Sequence, residues 1–358
     1  MTATALTHDQ KLDFLRDGFI VLRGVVARDL TAAARRSIYI RHAQTANTRP
    51  YHGFDDDALP NLINESALGQ VLRSTLGQYD PPQSAFAATI LPQPKPQQVP
   101  PNFGWQPHVD GWWYKADLPS TPDEVDSWQA PRTHHFGNAD AAEIGANKTP
   151  FFQDPECTLS IGSFAAFVGV ALNDQTEFGN GNLCLLPGAH EEVEKFFRTQ
   201  RDAGGVVGPE GPGWPRLSPV GNDGVTLTSL PLPISEMFLA DAETTPDGRV
   251  WFQPEPMLLE EGDAVIALHA CPHNNSLNLG SDPRLNVYFR VRHQRAGAAV
   301  VRGDSDHPDR GWDGEFLTYD TDFDPWRTSI DLMCDHWSEW DGMQEVVAAQ
   351  RAGNAAQP

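Results

Sequence analysis

The apolar stretches of this chain are short, and turn-forming residues interrupt them along most of its length. The 358 residues include 30 glycines and 30 prolines, and beyond residue 76 the apolar runs hold only a few residues between such breaks. Short apolar runs bounded by turn residues are typical of β-strands. The sequence therefore predicts a mainly β body. Its best strand candidates are Phe86–Leu91, Leu159–Leu172, Leu183–Leu186, Ala264–Leu268 and Leu285–Val291.

Helical patterns flank this body. Thr7 and Gln10 have the spacing of a capping box, which predicts a helix from His8 to Asp17. Gly18 permits a left-handed cap after it, and the apolar run 19–22 predicts a short strand. Further helices are predicted at 30–43, at 68–76, at 191–201 and from Asp324 through Trp340, the last with Trp326, Ile330, Met333, Trp337 and Trp340 on one buried face.

Two long segments hold no sustained hydrophobic period. They cover residues 116–150 and 201–230, and both are polar or rich in glycine and proline. No internal repeat and no linker of distinct composition divides the chain. The simplest organisation is one domain over residues 1–358 that carries two loop insertions.

The charge balance excludes one class of partner. Acidic residues number 48 against 26 basic ones, for a net charge of -22, whereas binding to nucleic acid needs clustered lysine and arginine. The four cysteines form no CxxC pair, so they predict buried thiols and not a zinc knuckle or a disulfide framework. No segment predicts an export signal or a membrane span. A cytoplasmic protein with a small-molecule partner is expected, and the sequence leaves its oligomeric state open.

One tripeptide has the form of a metal-binding pair. His108 and Asp110 are two residues apart in an extended segment, so both side chains point the same way and can share one metal ion. The pattern is weak alone, because the same tripeptide occurs from His307 to Asp309 in a charged loop.

A second segment strengthens the first copy. Residues 262–273 form a strand-like run that ends in His273 and supplies a second imidazole. Two histidines and one carboxylate make the facial triad of non-haem iron, which leaves three coordination positions open. Alternation along one strand would place His269 on the same face as His273, so periodicity does not choose between these two histidines.

An arginine follows eleven residues after His273. Arg284 opens an alternating run to Val291 that has polar side chains on one face and apolar side chains on the other. A guanidinium there could hold a carboxylate in a fork. The plain alternative is a solvated polar face.

In these blocks the sequence resembles the phytanoyl-CoA dioxygenase-like family of Fe(II)- and 2-oxoglutarate-dependent oxygenases. The resemblance covers most of the chain, through residues 6–25, 170–190 and 262–284. The chain departs from the family pattern at Asn173, where aspartate is usual, and at Ala189, where serine is usual. The interval between Asp110 and His273 is also unusually long.

The resemblance implies a fold, a set of ligands and a reaction. The implied fold is a double-stranded β-helix of the cupin-like jelly-roll class with flanking α-helices. The implied cofactors are Fe(II), 2-oxoglutarate and O2, which together oxidise an unactivated C–H bond. Hydroxylation is the default outcome, and desaturation, ring closure or epoxidation would use the same ligands. By position, the resemblance makes His108, Asp110 and His273 the catalytic iron ligands, Arg284 the anchor for 2-oxoglutarate, and Thr89 and Gln93 its further polar contacts.

Several residues near these motifs have two interpretations. Trp112 and Trp113 line either the mouth of a pocket or the core. Arg290 holds either a substrate carboxylate or an acidic side chain of the chain. Asn275 and Ser276 either contact the co-substrate or form a turn, and the turn is favoured for asparagine. Two rival functions also stay open, a jelly-roll metalloenzyme such as an isomerase or hydrolase, and a catalytically silent binding protein of the same fold.

Overall fold

A computed structural model describes residues 4–48, 51–53, 56–79, 81–82, 85–93, 101–102, 105, 107–109, 113–114, 159–160, 164–203, 230–244, 250–293, 299–302, 315–318 and 332–355. The α-helices of this part are α1 (His8–Asp17), α2 (Arg28–Thr45), α3 (Asn61–Asn64), α4 (Ala67–Thr75), α5 (Ala189–Asp202), α6 (Leu232–Glu236) and α7 (Gln344–Ala355), and a 3-10 helix covers Asp341–Met343. Its strands are β1 (Phe19–Leu22), β2 (Tyr51–Gly53), β3 (Ala85–Ile90), β4 (Trp113–Tyr114), β5 (Leu159–Ser160), β6 (Ala166–Ala171), β7 (Leu183–Leu185), β8 (Glu243–Thr244), β9 (Val250–Trp251), β10 (Glu255–Pro256), β11 (Ala264–Leu268), β12 (His273–Asn275), β13 (Arg284–Val291), β14 (Ala299–Arg302) and β15 (Glu315–Thr318).

The first helix forms as its sequence predicts. The Thr7 hydroxyl accepts a hydrogen bond from the Gln10 backbone N–H, and the Gln10 side chain accepts one from Thr7. The helix ends at Gly18, whose φ of 80° is left-handed. A Cβ at this position would collide with the His190 ring. The helices predicted near α2, α4 and α5 are likewise confirmed.

The strands form two main antiparallel sheets. The larger sheet has the order β1-β11-β6-β13-β3-β2, and the smaller one has the order β10-β7-β12. An isolated antiparallel bridge between His108 and His273 adds a further backbone segment beside β12. The expected mainly β body with flanking helices is therefore confirmed in this coarser form.

The large sheet separates two apolar cores. On β13, Leu285, Val287 and Phe289 face a core that includes residues of α1, α2 and α4. Tyr288 faces the other way, into a core that also holds residues of the small sheet. The two sheets thus pack on each other through this second core. Arg284 and Asn286 share the face of Tyr288 on β13, so their side chains also point into the space between the sheets.

The sequence prediction for the segment 262–273 is wrong in one respect. Strand β11 ends at Leu268 in the large sheet, and β12 begins at His273 in the small sheet. The Cys271 backbone N–H closes the turn on the Leu268 carbonyl at 3.0 Å, and Pro272 has no N–H with which to continue a ladder. The predicted stretch Leu159–Leu172 similarly contains two strands, β5 and β6, which belong to different sheets.

The predicted last helix is confirmed at residues 332–334 and wrong beyond them, and Trp326 and Ile330 lie outside the described residues. Residues 335–340 are not helical, and the final helix is α7, which follows the short 3-10 helix. Trp337 and Trp340 are nevertheless buried, with their rings 5.1 and 5.0 Å from that of Phe14 in edge-to-face contacts. The core role of these tryptophans is confirmed, although a helix does not present them.

The remaining predictions concern the insertions, the cysteines, membrane helices and the number of domains. The predicted insertion 116–150 lies wholly outside the described residues, as do residues 204–229 of the predicted insertion 201–230. Cys184, Cys271 and Cys334 are buried free thiols as expected, and Cys157 lies outside the described part. Among the described residues, no helix combines the length and the apolarity that a membrane crossing requires. The single domain over residues 1–358 stays a prediction.

Candidate active site

Backbone pairing brings two of the predicted metal ligands together. The His108 N–H donates to the His273 carbonyl at 3.1 Å, and the His273 N–H donates to the His108 carbonyl at 2.9 Å. The two imidazole centroids are 4.8 Å apart, and both residues are buried. The small sheet therefore places side by side two histidines that are far apart in sequence.

The His273 ring is held in one tautomer and one plane. Its Nδ1 lies 3.0 Å from the Cys271 carbonyl oxygen, and a carbonyl can only accept, so Nδ1 carries the hydrogen. This leaves the lone pair on Nε2, as metal-binding histidines require. Phe167 stacks on the ring at 4.6 Å with an interplanar angle of 26°. His273 is thus oriented as a metal ligand by its neighbours.

The carboxylate of the predicted triad is not among the described residues. Asp110 and Trp112 lie outside them, and Trp113 is described only as a backbone position of β4. Within the described part of the chain, no three side chains of histidine, cysteine, aspartate or glutamate converge as a metal site. The pair of His108 and His273 is the part of the predicted triad that the structure brings together.

His269 occupies a different place from His273. It lies in the turn after β11, so the premise that both histidines share one strand and one face is wrong. Its ring packs edge-to-face on Phe164 at 5.2 Å. Its electrostatic interaction with His336 contributes, after burial, to the lowered pKa of that imidazole. The backbone bridge to His108 belongs to His273.

Arg284 is a buried cation held by neutral groups. It is only 1% exposed, and its Nη2 donates to Asn275 Oδ1 at 2.8 Å. Its Nη1 lies 3.2 Å from the Tyr288 hydroxyl and 3.4 Å from the Ala88 carbonyl. Burial lowers the pKa of this guanidinium. Its buried Nε has no hydrogen-bond partner among the described residues, and none of its contacts there is a carboxylate.

Neutral polar side chains extend this arrangement. Tyr288 also receives a hydrogen bond from Asn286 Nδ2 at 3.0 Å, and Asn286 Oδ1 accepts one from Gln175 at 2.6 Å. We call Arg284, Asn275, Tyr288, Asn286 and Gln175 the Arg284 cluster. Gly181 packs against it, since an added Cβ would lie 3.2 Å from the Cβ of Arg284. The whole cluster therefore carries one positive charge and no negative one.

The structure does not bring the other predicted co-substrate residues to Arg284. Thr89 pairs with Leu285 and so faces the helices, whereas Ile90 is the residue opposite Arg284. Gln93 is exposed, and its backbone N–H donates to the Asn278 carbonyl.

Ser276 and Arg290 have contacts of their own. The Ser276 hydroxyl lies 3.4 Å from Asn182 Oδ1 and 3.2 Å from the Leu277 carbonyl. Arg290 shares the face of Arg284 on β13, and its guanidinium lies 5.2 Å from the Phe164 ring centroid. Neither contact reaches the Arg284 cluster, and a substrate-binding role for Arg290 stays a prediction.

Sequence reasoning did not single out Tyr288, Asn286 or Phe167, and it favoured the wrong local structure for Asn275. Asn275 was expected in a turn but lies on β12, two residues after His273. Tyr288 and Asn286 share the face of Arg284 on β13, and the alternation of that strand carried this information. Phe167 gave no signal, because it is one apolar residue within an apolar strand.

Other motif residues have structural contacts. Asp263 accepts hydrogen bonds from Arg23 and from the Gly24 backbone, both at 2.7 Å, and from the Glu260 backbone at 2.9 Å. We call these four residues the Asp263 cluster. His190 lies in α5, where its Nε2 donates to the Leu15 carbonyl at 3.2 Å, and burial lowers its pKa to about 4.

Comparison with known proteins finds likeness only among solved structures. No protein-family model matches the chain, and no curated protein matches it. The non-heme alpha ketoglutarate dependent carbocyclase SnoK from nogalamycin biosynthesis is 12% identical, with 86% of this chain and 90% of that chain covered and a TM-score of 0.43. HygX from Streptomyces hygroscopicus, with nickel and 2-oxoglutarate bound, is 15% identical, with coverage of 88% and 97% and a TM-score of 0.43. The non-heme alpha ketoglutarate dependent epimerase SnoN is 14% identical, with coverage of 87% and 93% and a TM-score of 0.43. Likeness at this level assigns no function to the chain.

Proposed function

We propose that this protein is a Fe(II)- and 2-oxoglutarate-dependent dioxygenase that hydroxylates an unactivated C–H bond of a small molecule. One observation carries the proposal: the buried guanidinium of Arg284 has no carboxylate among its contacts with the described residues, and it is hydrogen-bonded to Asn275 of β12, the strand that also holds His273. A buried cation without a counter-ion is costly, and an anionic ligand removes that cost. The same co-substrate is named for SnoK, HygX and SnoN, although the proposal rests on Arg284 and not on them.

The spacing along β12 supports a five-carbon diacid as the ligand. His273 and Asn275 are two residues apart on one strand, so their side chains leave it about 7 Å apart. A ligand that binds a metal at His273 must span a similar distance to reach Arg284. The ends of an extended five-carbon chain are about 5 Å apart, and a metal–ligand bond adds about 2 Å. The length of 2-oxoglutarate agrees with this spacing.

The residues present fit an iron centre. His108 and His273 offer adjacent imidazoles, and the hydrogen bond of Nδ1 to the Cys271 carbonyl makes Nε2 the lone-pair nitrogen of His273. We propose Asp110 as the third ligand, because it follows His108 by two residues. When bound, Fe(II) would supply the redox chemistry by which O2 and 2-oxoglutarate oxidise a C–H bond. Arg284 would orient the diacid, and the stacked rings of Phe167 and Tyr288 would exclude water between anchor and ligand.

We also propose the type of β-fold, the residues that contact the substrate and the outcome of the reaction. We propose that the two packed sheets form a double-stranded β-helix of the jelly-roll class. Trp112, Trp113 and Arg290 are proposed to contact the small-molecule substrate, with Arg290 facing the inter-sheet space near Phe164. Hydroxylation is the proposed outcome among reactions that share these ligands.

Turnover of 2-oxoglutarate tests the proposal directly. Protein reconstituted with Fe(II) is expected to form succinate and CO2 from 2-oxoglutarate, even without its prime substrate. The Asp110→Ala variant is expected to lose this turnover, because the metal loses its only anionic protein ligand. Tight retention of Zn(II) without turnover would favour a non-oxygenase metalloenzyme. Failure to bind any divalent metal would favour a silent binding protein.

A further inference from the structure

The hydrogen bonds of the Arg284 cluster converge on the Tyr288 hydroxyl. This oxygen accepts from Arg284 Nη1 at 3.2 Å and from Asn286 Nδ2 at 3.0 Å, and it donates to Asn275 Oδ1 at 3.4 Å. A phenol has one donor and two acceptor sites. All three sites are therefore used, and three partners on two strands fix the hydroxyl in place.

The ring of Tyr288 contacts the other half of the site. It stacks on Phe167 at 5.1 Å with an interplanar angle of 15°, and Phe167 in turn stacks on His273. Tyr288 is buried, with 7% of its surface exposed. One side chain thus supports the proposed co-substrate anchor through its hydroxyl and the proposed metal ligand through its ring.

The orientation of Arg284 matters because its hydrogen bonds are directional. A guanidinium binds a carboxylate in a fork only when the carboxylate lies in the guanidinium plane. Tyr288 and Asn275 hold Nη1 and Nη2, and the buried Nε is left without a partner among the described residues. The two hydrogen bonds fix the plane of the guanidinium. Tyr288 and Asn275 are both neutral, so neither compensates its positive charge.

We propose that Tyr288 is a positioning residue, whose hydroxyl orients Arg284 toward the distal carboxylate of the co-substrate while its ring supports His273 through Phe167. This inference rests on the proposed function. It assigns separate tasks to two parts of one side chain, and replacement by phenylalanine removes only the first of them.

Calorimetry on Mn(II)-loaded protein without O2 tests this division of tasks. Pyruvate serves as the second ligand, because it has the 2-oxo acid group but no distal carboxylate. The Tyr288→Phe variant is expected to bind 2-oxoglutarate roughly tenfold more weakly than wild type. Its affinities for Mn(II) and for pyruvate are expected to be unchanged, since the ring stack is kept. The matched control is Tyr79→Phe, which removes another buried hydroxyl that donates to a backbone carbonyl, that of Gly69, at 3.1 Å.

A second variant checks the role of neutrality. Asn275→Asp keeps the size of the side chain but places a carboxylate where Oδ1 now lies 2.8 Å from Arg284. This internal counter-ion is expected to weaken 2-oxoglutarate binding roughly 100-fold and to spare pyruvate. Asn274→Asp, which adds the same charge on the opposite face of β12, is expected to spare both ligands.

The outcomes separate the inference from the proposed function. Equal 2-oxoglutarate affinities for Tyr288→Phe and Tyr79→Phe would overturn the positioning role and leave the proposed function intact. Equal weakening of pyruvate and 2-oxoglutarate would also overturn it, because the change would then concern the metal half of the site. Wild-type protein that binds neither Mn(II) nor 2-oxoglutarate would overturn both.

Discussion

Asp263, directly before β11, and Arg284, at the start of β13, are both buried charged residues in or next to strands of the large sheet, and their clusters differ in how that charge is matched. Asp263 is buried and receives hydrogen bonds from the Arg23 guanidinium and from two backbone N–H groups. Arg284 is equally buried, but its partners in the described structure are an amide, a phenol and a backbone carbonyl. The charge of Asp263 has a counter-ion in Arg23, whereas that of Arg284 has none among the residues that the structure describes.

This difference indicates what each motif contributes. A buried charge that is compensated within the fold stabilises contacts between its elements. The hydrogen bonds of Asp263 connect the turn after β1, at Arg23 and Gly24, to the start of β11. An uncompensated buried charge costs stability unless an ion from outside binds to it. Two residues that both belong to family-like blocks of the sequence are therefore expected to have separate effects, Asp263 on folding and Arg284 on ligand binding.

The largest expected effect concerns the metal at the other end of the proposed ligand. The His273→Ala variant is expected to lose Fe(II) and activity together, because it removes an imidazole held beside His108. The His269→Ala variant is expected to keep its metal and to show only a packing defect, since His269 packs on Phe164 in the turn. Metal content of the two purified proteins decides between them. The reverse pattern would make His269 the ligand and would remove the basis for pairing Arg284 with His273.

The next effect separates the two clusters directly. Arg284→Ala is expected to weaken 2-oxoglutarate binding roughly 100-fold while metal binding is kept, because the distal carboxylate loses its charged partner. Asp263→Ala is expected to leave 2-oxoglutarate binding unchanged but to lower the free energy of unfolding by about 2 kcal/mol, because two backbone N–H groups lose their acceptor. Calorimetric titration and urea unfolding of both variants measure the two quantities. An unchanged affinity in Arg284→Ala would exclude Arg284 from the site.

Much of the fold followed from local sequence signals. Helix α1 was predictable because its capping box and Gly18 act within a few residues. The break in the predicted C-terminal helix after residue 334 was not, because packing against Phe14 of the distant helix α1 acts on that region. Trp337 and Trp340 pack on Phe14, and the Gln344 side chain donates to both of their carbonyls, at 2.7 and 3.0 Å. Tertiary packing thus prevailed over the helical period that the tryptophans display.

The site was predictable only in part for a similar reason. The residues named from the family resemblance include His108 and His273, whose backbones pair beside the small sheet, and Arg284, which lies on the large sheet and is hydrogen-bonded to Asn275 of β12. Asn275 was expected in a turn, because asparagine favours turns. Its backbone instead pairs with Leu183 on β7, which keeps it extended and aims its side chain toward Arg284. Strand pairing between distant segments does not follow from one residue's propensity.

The smallest expected effect is the pH dependence of stability that His190 causes. His190 lies in α5, its ring contacts the Leu15 carbonyl of α1, and none of its described contacts reaches the Arg284 cluster. Burial lowers its pKa to about 4 from the ordinary value of 6.5, while its hydrogen bond to Leu15 and the charge of Asp17 act in the opposite direction. Between these two pH values the unfolded chain binds the proton more readily than the folded one. Stability is therefore lost as the pH falls below about 6.5.

A variant that cannot titrate isolates this term. His190→Gln keeps an N–H donor for the Leu15 carbonyl but binds no proton. Between pH 7 and pH 5, urea unfolding is expected to show a loss of stability about 2 kcal/mol larger in wild type than in the variant. Burial also lowers the pKa of His336 and raises that of Glu194, and both groups are present in both proteins. His336 differs between the two proteins only through the additional lowering of its pKa that His190 causes. Binding of 2-oxoglutarate at pH 7 is expected to be the same in both proteins, because His190 lies in α5, contacts Leu15 and belongs to neither cluster. A change in that affinity would show that α5 is coupled to the ligand site and would contradict this expectation.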